Sequence, residues 1–407
     1  MDVNPTLSRR RALPIAGAVG LAAVFAARSE QVQAAETSST RVGLPYTVIT
    51  EPTDAAVQAG IKAWRTDFNG AFPLTRLLFG FSGTANLTTP LDASMGSNQI
   101  QGVRWEGLAK RSTVLRWSGS GPLLSAYGLL RNWEFRDFSV QSGQSGAKGF
   151  YLRADNGKWN QDGAFRRIEW MGAWNYGLGF DGQDSTANLN SELVFDQPAL
   201  SNDASFVTGW LVSGLTPGVS QQNQFLNYVI RDSKLEGSHG DYVVINYGGS
   251  LNVEGYASWI HTGQANGGTP AGRMLYLPRG GNGDSTMFLR LAGMRPELRG
   301  PKSVFIDSSW SGAGCITIDN LRSAANAFNF GTPTEQYTFR GDARISVRDS
   351  HLQGFIGLHG SAKPRMLLEN TQCAGNQGVD WTKPTDSAGN GIVRTYDSAS
   401  ASNVKVL

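Results

Sequence analysis

One segment of the chain, residues 231–261, concentrates side chains that could carry out acid–base chemistry. Glu236, His239 and Asp241 lie on the turn that leads into a predicted strand, and Glu254 follows shortly afterwards. Hydrolysis of a glycosidic bond uses two carboxyl groups, about 5 to 5.5 Å apart for retention of configuration and about 6.5 to 9.5 Å for inversion. Asp241 with Glu236 or Glu254 is therefore a candidate catalytic pair.

The same segment could instead support β-elimination of a polysaccharide that contains uronic acids. A lyase needs a base that takes the proton next to the uronate carboxylate, and a cation that stabilises the resulting anion. His239 with Arg231 or Lys234 could fill these roles, and Ca²⁺ is a cofactor candidate in that case. The sequence contains no HExxH or EF-hand spacing, so no metal ligand is predicted. The alternative interpretation is a set of turn residues with a surface histidine.

A second candidate region is a series of polar residues at the ends of short predicted strands. Stacking these strands in register predicts an outward column of polar residues, with Tyr276 in the neighbouring column. The column contains Arg153, Asp181, Ser213, Asn246, Pro278, Asp319 and His359. Carboxylates, amides and a histidine can bind sugar hydroxyls, so we predict that Arg153, Asp181, Asn246, Tyr276, Asp319 and His359 contact a polysaccharide substrate. The alternative is that these residues are polar because they face water.

The short strands of the preceding paragraph are copies of one motif. A second motif, in which an acid follows apolar residues, alternates with it along the chain. Its acids include Asp137, Asp232, Asp307 and Asp349. An aspartate at a turn can accept backbone N–H bonds and fix the bend. Because the motif recurs in most repeats, whereas catalysis needs its groups once, we predict a structural role for these four acids.

Both motifs belong to a repeat that extends along most of the chain. Copies of the first motif, from Leu124 to Leu358, recur every 28 to 41 residues, with two or three short strands and little helical periodicity per unit. Such units bury their apolar faces by stacking on one another. The pattern predicts an all-β, single-stranded right-handed parallel β-helix. A propeller would need four strands in each unit.

The composition agrees with a stacked, weakly charged solenoid. Glycine accounts for 50 of the 407 residues, and charged residues for 17%. We expect the glycines at corners between strands, where a positive φ is needed. The formal net charge of +3 does not indicate a nucleic-acid partner, and two cysteines exclude a disulfide scaffold.

The N-terminus has the pattern of an export signal. Arg9, Arg10 and Arg11 precede an apolar stretch, residues 15–27, and a small-residue cleavage pattern ends at Ala34. The paired arginines resemble a twin-arginine signal, although Ala12 stands where that motif prefers phenylalanine. We therefore predict a signal peptide over residues 1–34, no membrane segment after its cleavage, and a secreted or periplasmic protein.

The region before the repeat carries a family resemblance. Residues 53–64 have helical apolar spacing, residues 77–79 are strand-like, and residues 102–115 combine spaced glycines with a Ser-Thr-apolar sequence. This order resembles the capping region of pectate-lyase-like β-helix proteins, which include polysaccharide lyases, glycoside hydrolases and tailspike depolymerases. The resemblance implies a short N-terminal capping helix and the same fold. Because β-helix depolymerases are often trimers, it also raises the expectation of a homotrimer.

Two functions follow from these patterns. The first is an exported enzyme that cleaves an extracellular or cell-wall polysaccharide as a lyase or a hydrolase. The second is a non-catalytic β-helix that binds glycans or forms part of a surface. Tryptophans such as Trp159 and Trp174 could stack on sugars or fill the core. The predicted divisions are the signal peptide at 1–34, a cap region at 35–100, the β-helix at 101–395 and a tail at 396–407.

Overall fold

The computed structural model describes most of the chain after the N-terminal segment. The described residues are 46–70, 72–94, 100–128, 130–154, 159–182, 190–216, 225–246, 248–261, 272–278, 287–298, 303–310, 314–322, 336–341, 344–353, 356–359, 365–374, 393–395 and 404–406. The predicted signal peptide, residues 1–34, lies outside them, as does most of the predicted tail. Within the described part of the chain, no helix combines the length and apolarity needed to span a bilayer.

Three long parallel sheets, here called sheets 1, 2 and 3 in the order in which each coil visits them, form the molecule. Sheet 1 contains Tyr46–Ile49, Arg76–Phe79, Ile100–Gln101, Arg104–Gly107, Leu130–Arg136, Gln161–Arg166, Leu193–Asp196, Phe225–Arg231, Gly249–Glu254, Met287–Ala292, Gly314–Asp319, Arg344–Arg348, Arg365–Glu369 and Val404–Val406. Sheet 2 contains Gly83–Leu87, Thr113–Trp117, Ser139–Ser142, Glu169–Met171, Ala199–Leu200, Lys234–Leu235, Ala257–His261 and Met294–Leu298.

Sheet 3 contains Leu91–Asp92, Pro122–Tyr127, Ala147–Ala154, Ala173–Gly182, Ser205–Ser213, Val243–Ile245, Gly272–Leu277, Ser303–Ser308, Tyr337–Phe339, Ile356–Leu358 and Val393–Thr395. Two small pairs complete the strands: Phe68–Asn69 with Phe72–Pro73, antiparallel, and His351–Gln353 with Gln372–Ala374, parallel. Strands that are neighbours in space come from successive coils, which is the arrangement of a solenoid. The predicted right-handed parallel β-helix is confirmed.

The predicted capping helix spans Asp54–Thr66. The Thr53 side chain caps its first turn by accepting a hydrogen bond from the Ala56 backbone N–H. Val57, Ile61 and Trp64 form its buried face, at the i, i+4 and i+7 spacing of an amphipathic helix. The helix packs on the first strands of sheet 1, and thereby covers the apolar end of the solenoid.

The core contains a ladder of aromatic rings on the inner face of sheet 1. Phe135, Phe165 and Phe195 are in register in successive strands. The Phe165 and Phe195 rings stack at 5.5 Å with an interplanar angle of 7°. The same inward position is aliphatic from Ile230 onward, where Val253 follows. Because each coil adds its ring to the stack, neighbouring coils share one continuous core.

The corner at which the chain leaves sheet 1 is made by one left-handed residue in each of nine successive coils, with φ between 44° and 76°. These residues are Asp137, Arg167, Gln197, Asp232, Gly255, Gly293, Asn320, Asp349 and Asn370. Aspartate and asparagine tolerate this conformation better than other residues with a Cβ atom. In several coils the corner N–H donates to a carbonyl of the next coil, as from Asp137 to Arg166 at 3.0 Å. The structural role predicted for Asp137, Asp232 and Asp349 agrees with these positions.

Glycine forms only two of these nine corners, but fourteen described glycines have positive φ, as expected. Gly128, Gly146 and Gly172 are examples at corners between other sheets. Part of the glycine content has another cause, which is the close approach of strands in sheet 3. A Cβ atom on Gly149 would lie 2.0 Å from the carbonyl oxygen of Gly177 in the next strand. Any other residue at Gly149 would therefore push these two strands apart.

The left-handed corner at Gln197 gives a stability prediction. Its φ is 51° and its side chain is exposed. The main effect of a substitution at this position is therefore on the energy of the left-handed backbone conformation. We expect Gln197→Asn to stabilise the protein by about 0.5 kcal/mol, and Gln197→Val to destabilise it by about 1 to 2 kcal/mol. Urea denaturation of the two variants tests this, and changes of the same sign in both would contradict it.

Candidate functional site

The outer face of sheet 3 holds most of the polar column predicted from the sequence. Arg153 and Asp181 are in register on neighbouring strands, and Tyr127 precedes them. The Asn246 side chain donates to the carbonyl oxygens of Ser213 and Gly214 at 3.0 and 2.9 Å. His359 directly follows the strand Ile356–Leu358, and its backbone N–H donates to the Phe339 carbonyl.

Two members of the predicted column do not belong to it. Asp319 lies in sheet 1, where it is in register with Ala292 and Arg348. Ser213 pairs with Phe180 and is fully buried, because the register between these strands places it on the inner face. The sheet 3 strand that precedes Asp319 in the chain is Ser303–Ser308, which places Asp307 on the outer face of sheet 3 in register with Tyr276.

Asp307 was predicted to be a structural corner residue, and the structure corrects this. It is in register with Tyr276 on one side and Thr338 on the other, within sheet 3. The sequence around it, Phe305-Ile306-Asp307, closely matches Thr317-Ile318-Asp319 in sheet 1. The sequence therefore assigned these two segments to each other's motif.

The predicted catalytic residues of the segment 231–261 are distributed over all three sheets and the turns between them. Arg231 and Glu254 form an ion pair of 2.6 Å on the outer face of sheet 1. Glu236 follows a sheet 2 strand and pairs with Lys234 at 3.1 Å. His239 lies in the turn toward sheet 3, with its Nδ1 3.0 Å from the Ser238 hydroxyl.

Asp241, the remaining member of that segment, lies at the start of a sheet 3 strand and is nearly buried. Its carboxylate accepts hydrogen bonds from the Arg273 side chain at 2.6 and 3.0 Å and from the Arg273 backbone N–H at 2.8 Å. Burial opposes the charge of Arg273, but the bonds and the charge of Asp241 outweigh it and raise the pKa of the guanidinium. Arg273 also covers the ring of Tyr276, 3.2 Å from its centroid.

Arg273 links Asp241 to Asp307. Its Nη1 lies 3.7 Å from the Asp307 carboxylate, which also accepts a hydrogen bond from Arg340. We call Asp241, Arg273, Asp307 and Arg340 the acid–arginine cluster. Because both carboxylates reach one planar guanidinium, their nearest oxygens are no more than about 9 Å apart. Their strands are two positions apart in the sheet, which corresponds to roughly 10 Å between backbones.

Removal of Arg273 is expected to cost stability. Arg273→Ala would leave the Asp241 side chain, only 10% exposed, without its main partner. We expect a loss of about 2 to 3 kcal/mol in the free energy of unfolding. The matched control is Arg231→Ala, whose ion pair with Glu254 is exposed at 48% and 34% and is worth less than about 1 kcal/mol. Equal losses in urea denaturation would show that the cluster is no more than a surface ion pair.

A second network on this face is centred on Asp181, which is fully buried. Its carboxylate accepts hydrogen bonds from the Tyr151 hydroxyl at 2.8 Å and from the Thr216 hydroxyl and N–H at 2.6 and 3.0 Å. Burial and the nearby charge of Asp181 raise the pKa of Tyr151. The phenol therefore stays protonated, and Asp181 fixes the position of its ring.

A band of apolar side chains lies on the outside of sheet 3, separate from the core. This outer band consists of Tyr151, Tyr176, Val212, Leu215, Val244 and Tyr276. At one end, the exposed ring of Tyr127 contacts Tyr151 edge-to-face at 5.8 Å. At the other end, Tyr276 adjoins the acid–arginine cluster. The band thus connects aromatic rings to carboxylates on a single face.

The sequence allowed two roles for the tryptophans, stacking on sugars or filling the core. Most of those in the described residues belong to the core. Trp170, Trp174, Trp210, Trp259 and Trp310 are all buried. The described aromatic side chains on the outer face of sheet 3 are tyrosines. Tyr127, Tyr151 and Tyr276 each alternate with buried apolar residues in their strands. This alternation is the sequence signal that places them on the outer face.

Calcium does not fit the residues that the structure describes. Within the ranges given above, no three His, Cys, Asp or Glu side chains come together as a metal site would require. Asp241 and Asp307 carry guanidinium partners. The sequence raised Ca²⁺ as a cofactor only for the lyase alternative.

Neither a family model nor a curated protein sequence matches the chain. Among solved structures, it is similar to a GH87 α-1,3-glucanase catalytic domain in complex with tetrasaccharides. That match has 11% identity and a TM-score of 0.46, and covers 91% of this chain and 69% of the other. The GH87 α-1,3-glucanase catalytic unit from Streptomyces thermodiastaticus gives 12% identity, a TM-score of 0.41 and coverages of 90% and 70%.

A third similar structure is PfbA, a surface protein and adhesin of Streptococcus pneumoniae. It has 8% identity and a TM-score of 0.41, with 87% of this chain and 95% of that chain covered. The three neighbours thus include both enzymes and an adhesin.

Proposed function

We propose that this protein cleaves a polysaccharide by hydrolysis on the outer face of sheet 3. The observation that carries the proposal is the acid–arginine cluster, in which Arg273 holds Asp241 and Asp307 on one face, beside the partly exposed ring of Tyr276. Aromatic rings pack on the apolar faces of sugars, while carboxylates and amides bind their hydroxyl groups. Arg153, Asn246, Tyr276 and His359 belong to the same face, so we assign them to the substrate-binding surface. Asp181, which was also expected to contact the substrate, is buried and holds Tyr151 in place instead.

Asp241 and Asp307 are the proposed catalytic pair. One carboxyl group donates a proton to the leaving glycosidic oxygen, and the other takes a proton from the water whose oxygen attacks the anomeric carbon as the C–O bond breaks. Carboxyl groups about 6.5 to 9.5 Å apart leave room for that water and give inversion of configuration, whereas groups about 5 to 5.5 Å apart give retention. Arg273 keeps the two groups at a fixed distance through its contacts with both.

A second candidate function is glycan binding without cleavage. The observation that favours it is the same cluster, because Asp241 and Asp307 already have guanidinium partners in the free protein. In that case both carboxylates accept hydrogen bonds from sugar hydroxyls or support the arginines that do so. The two functions share one face of the molecule and differ in whether a bond is broken.

A panel of polysaccharides distinguishes these functions. The purified protein is incubated with α-1,3-glucan, dextran, xylan, polygalacturonate and alginate. New reducing ends without new ultraviolet absorbance indicate hydrolysis, as proposed. New absorbance from an unsaturated uronate indicates the lyase reaction, and retention on an insoluble polysaccharide without products indicates the binder. Proton NMR of the first anomer released tests inversion.

We also propose that the protein acts outside the cytoplasm, as its polysaccharide substrate requires. The arginine-rich start, the short apolar stretch and the cleavage pattern ending at Ala34 support this. Mass spectrometry of the exported protein would show a mature N-terminus at Ala35 if the signal is cleaved there. Retention of the full chain in the cytoplasm would contradict the proposal.

A further inference from the structure

We propose that Tyr127 and Tyr151 form a distal sugar-stacking subsite, which binds the substrate chain away from the bond that is cleaved. This inference rests on the proposed function, since the occupant is the same polysaccharide. It extends that function by assigning a second contact point. Neither tyrosine is needed for the chemistry at Asp241 and Asp307.

The first observation is the combination of exposure and rigidity. Tyr127 is 42% exposed although it belongs to a sheet strand, and its ring rests edge-to-face on Tyr151. Its backbone N–H donates to the Ser94 hydroxyl at 2.7 Å. Tyr151 is held in turn by the bond from its hydroxyl to buried Asp181. A ring that is already fixed loses little conformational entropy when a sugar packs on it.

The second observation is the position of Tyr151 and Tyr276 at the two ends of the outer band. The outer band runs from Tyr151 through Tyr176, Val212 and Val244 to Tyr276, where the acid–arginine cluster begins. These residues lie on successive strands of one parallel sheet. Tyr176, Val212 and Val244 are buried, whereas Tyr151 and Tyr276 are partly exposed. A polysaccharide chain that crosses the strands can therefore contact the band at its two ends.

Strand spacing gives the distance between the two contact points. Four steps of the sheet separate the strand of Tyr127, Pro122–Tyr127, from the strand Val243–Ile245, which follows Asp241. At about 4.8 Å for each step, the separation is roughly 19 Å. A disaccharide bound at the acids is too short to reach Tyr127, whereas a long oligosaccharide can occupy both places. The subsite therefore predicts affinity that increases with chain length.

The test is a glycan array that carries size series from disaccharide to decasaccharide. The series are α- and β-linked gluco-oligosaccharides, xylo-oligosaccharides and galacturono-oligosaccharides. We expect the wild-type protein to bind the long members of one series, and Tyr127→Ala to weaken that binding roughly five- to tenfold. Disaccharide binding should be the same in both proteins. Tyr127→Phe keeps the ring and should restore the length dependence.

Tyr256→Ala is the matched control, because Tyr256 is a 64% exposed tyrosine that follows the corner between sheets 1 and 2. It should bind as the wild type does. Unchanged length dependence in Tyr127→Ala, or no binding of any series by the wild-type protein, would overturn the subsite. Length-dependent binding without cleavage of any series would instead refute the proposed hydrolysis and leave the subsite standing.

Discussion

Asp307→Asn is expected to lower the rate of polysaccharide cleavage by roughly 10³-fold, because a carboxamide can neither donate nor accept the proton that the reaction moves. Polysaccharide binding should persist, since the amide keeps a hydrogen-bonding group beside Arg340. Reducing-end assays on the polysaccharide that the wild type cleaves measure the rate. Thermal melts of the variant confirm that it is folded.

The chain offers a close control for this variant. Asp319 follows the same Ile-Asp pattern but lies on sheet 1, where its nearest described ionic partner is Arg290 at 3.5 Å. Asp319→Asn should leave the rate unchanged. If Asp307→Asn retains full activity, or if Asp319→Asn loses it, the assignment of the catalytic pair to sheet 3 is wrong. Asp241→Asn should reproduce the loss at Asp307.

The stability of the protein is expected to fall between pH 6.5 and pH 3 because of His261. This side chain is fully buried, and burial lowers its pKa to about 3. Its Nε2 donates to the Gly240 carbonyl at 3.0 Å, and its Nδ1 has no partner among the described residues. The ring is therefore neutral in the folded protein, whereas the unfolded chain binds a proton near pH 6.5.

Proton linkage determines the direction in which the free energy of unfolding changes with pH. Below pH 6.5 the unfolded state holds one proton more than the folded state, so each unit of pH removes about 1.4 kcal/mol from the free energy of unfolding. By pH 4.5 the contribution of His261 is on the order of 2 to 3 kcal/mol. Below pH 3 the folded state is protonated as well, and the loss stops increasing.

His261→Gln separates this contribution from that of the carboxylates, because glutamine keeps a donor but does not titrate. Urea denaturation at pH 7.5 and pH 4.5 should show a smaller decrease for the variant than for the wild type. The difference between the two decreases measures His261. Parallel decreases in the two proteins would mean that His261 is protonated in the folded state or accessible to water.

The repeat, the capping helix and the parallel fold could be predicted from the sequence, because they depend on local patterns. Apolar alternation with turns defines the strands, and the spacing of Val57, Ile61 and Trp64 defines the helix. The corner role of Asp137 and Asp349 could also be predicted. A residue that recurs once in each coil indicates the geometry of the coil.

The candidate site was harder to predict, because it depends on contacts between coils of different lengths. Asp307 and Asp319 follow nearly identical segments, and only the lengths of the intervening connections place one on sheet 3 and the other on sheet 1. Asp241 and Arg273 are 32 residues apart, so no local pattern pairs them. A single shift in register likewise turned Ser213 inward.

The change from phenylalanine to aliphatic residues inside sheet 1 has a consequence for the order of unfolding. Phe135, Phe165 and Phe195 stack in the N-terminal coils, whereas Ile230 and its successors provide smaller, ring-free contacts. In a solenoid each coil depends on its immediate neighbours, so local differences are not averaged over the whole molecule. We expect hydrogen exchange to be slowest in the N-terminal coils and to accelerate beyond Ile230. The acid–arginine cluster then lies where the tightly cooperative part of the molecule gives way to the part that opens first.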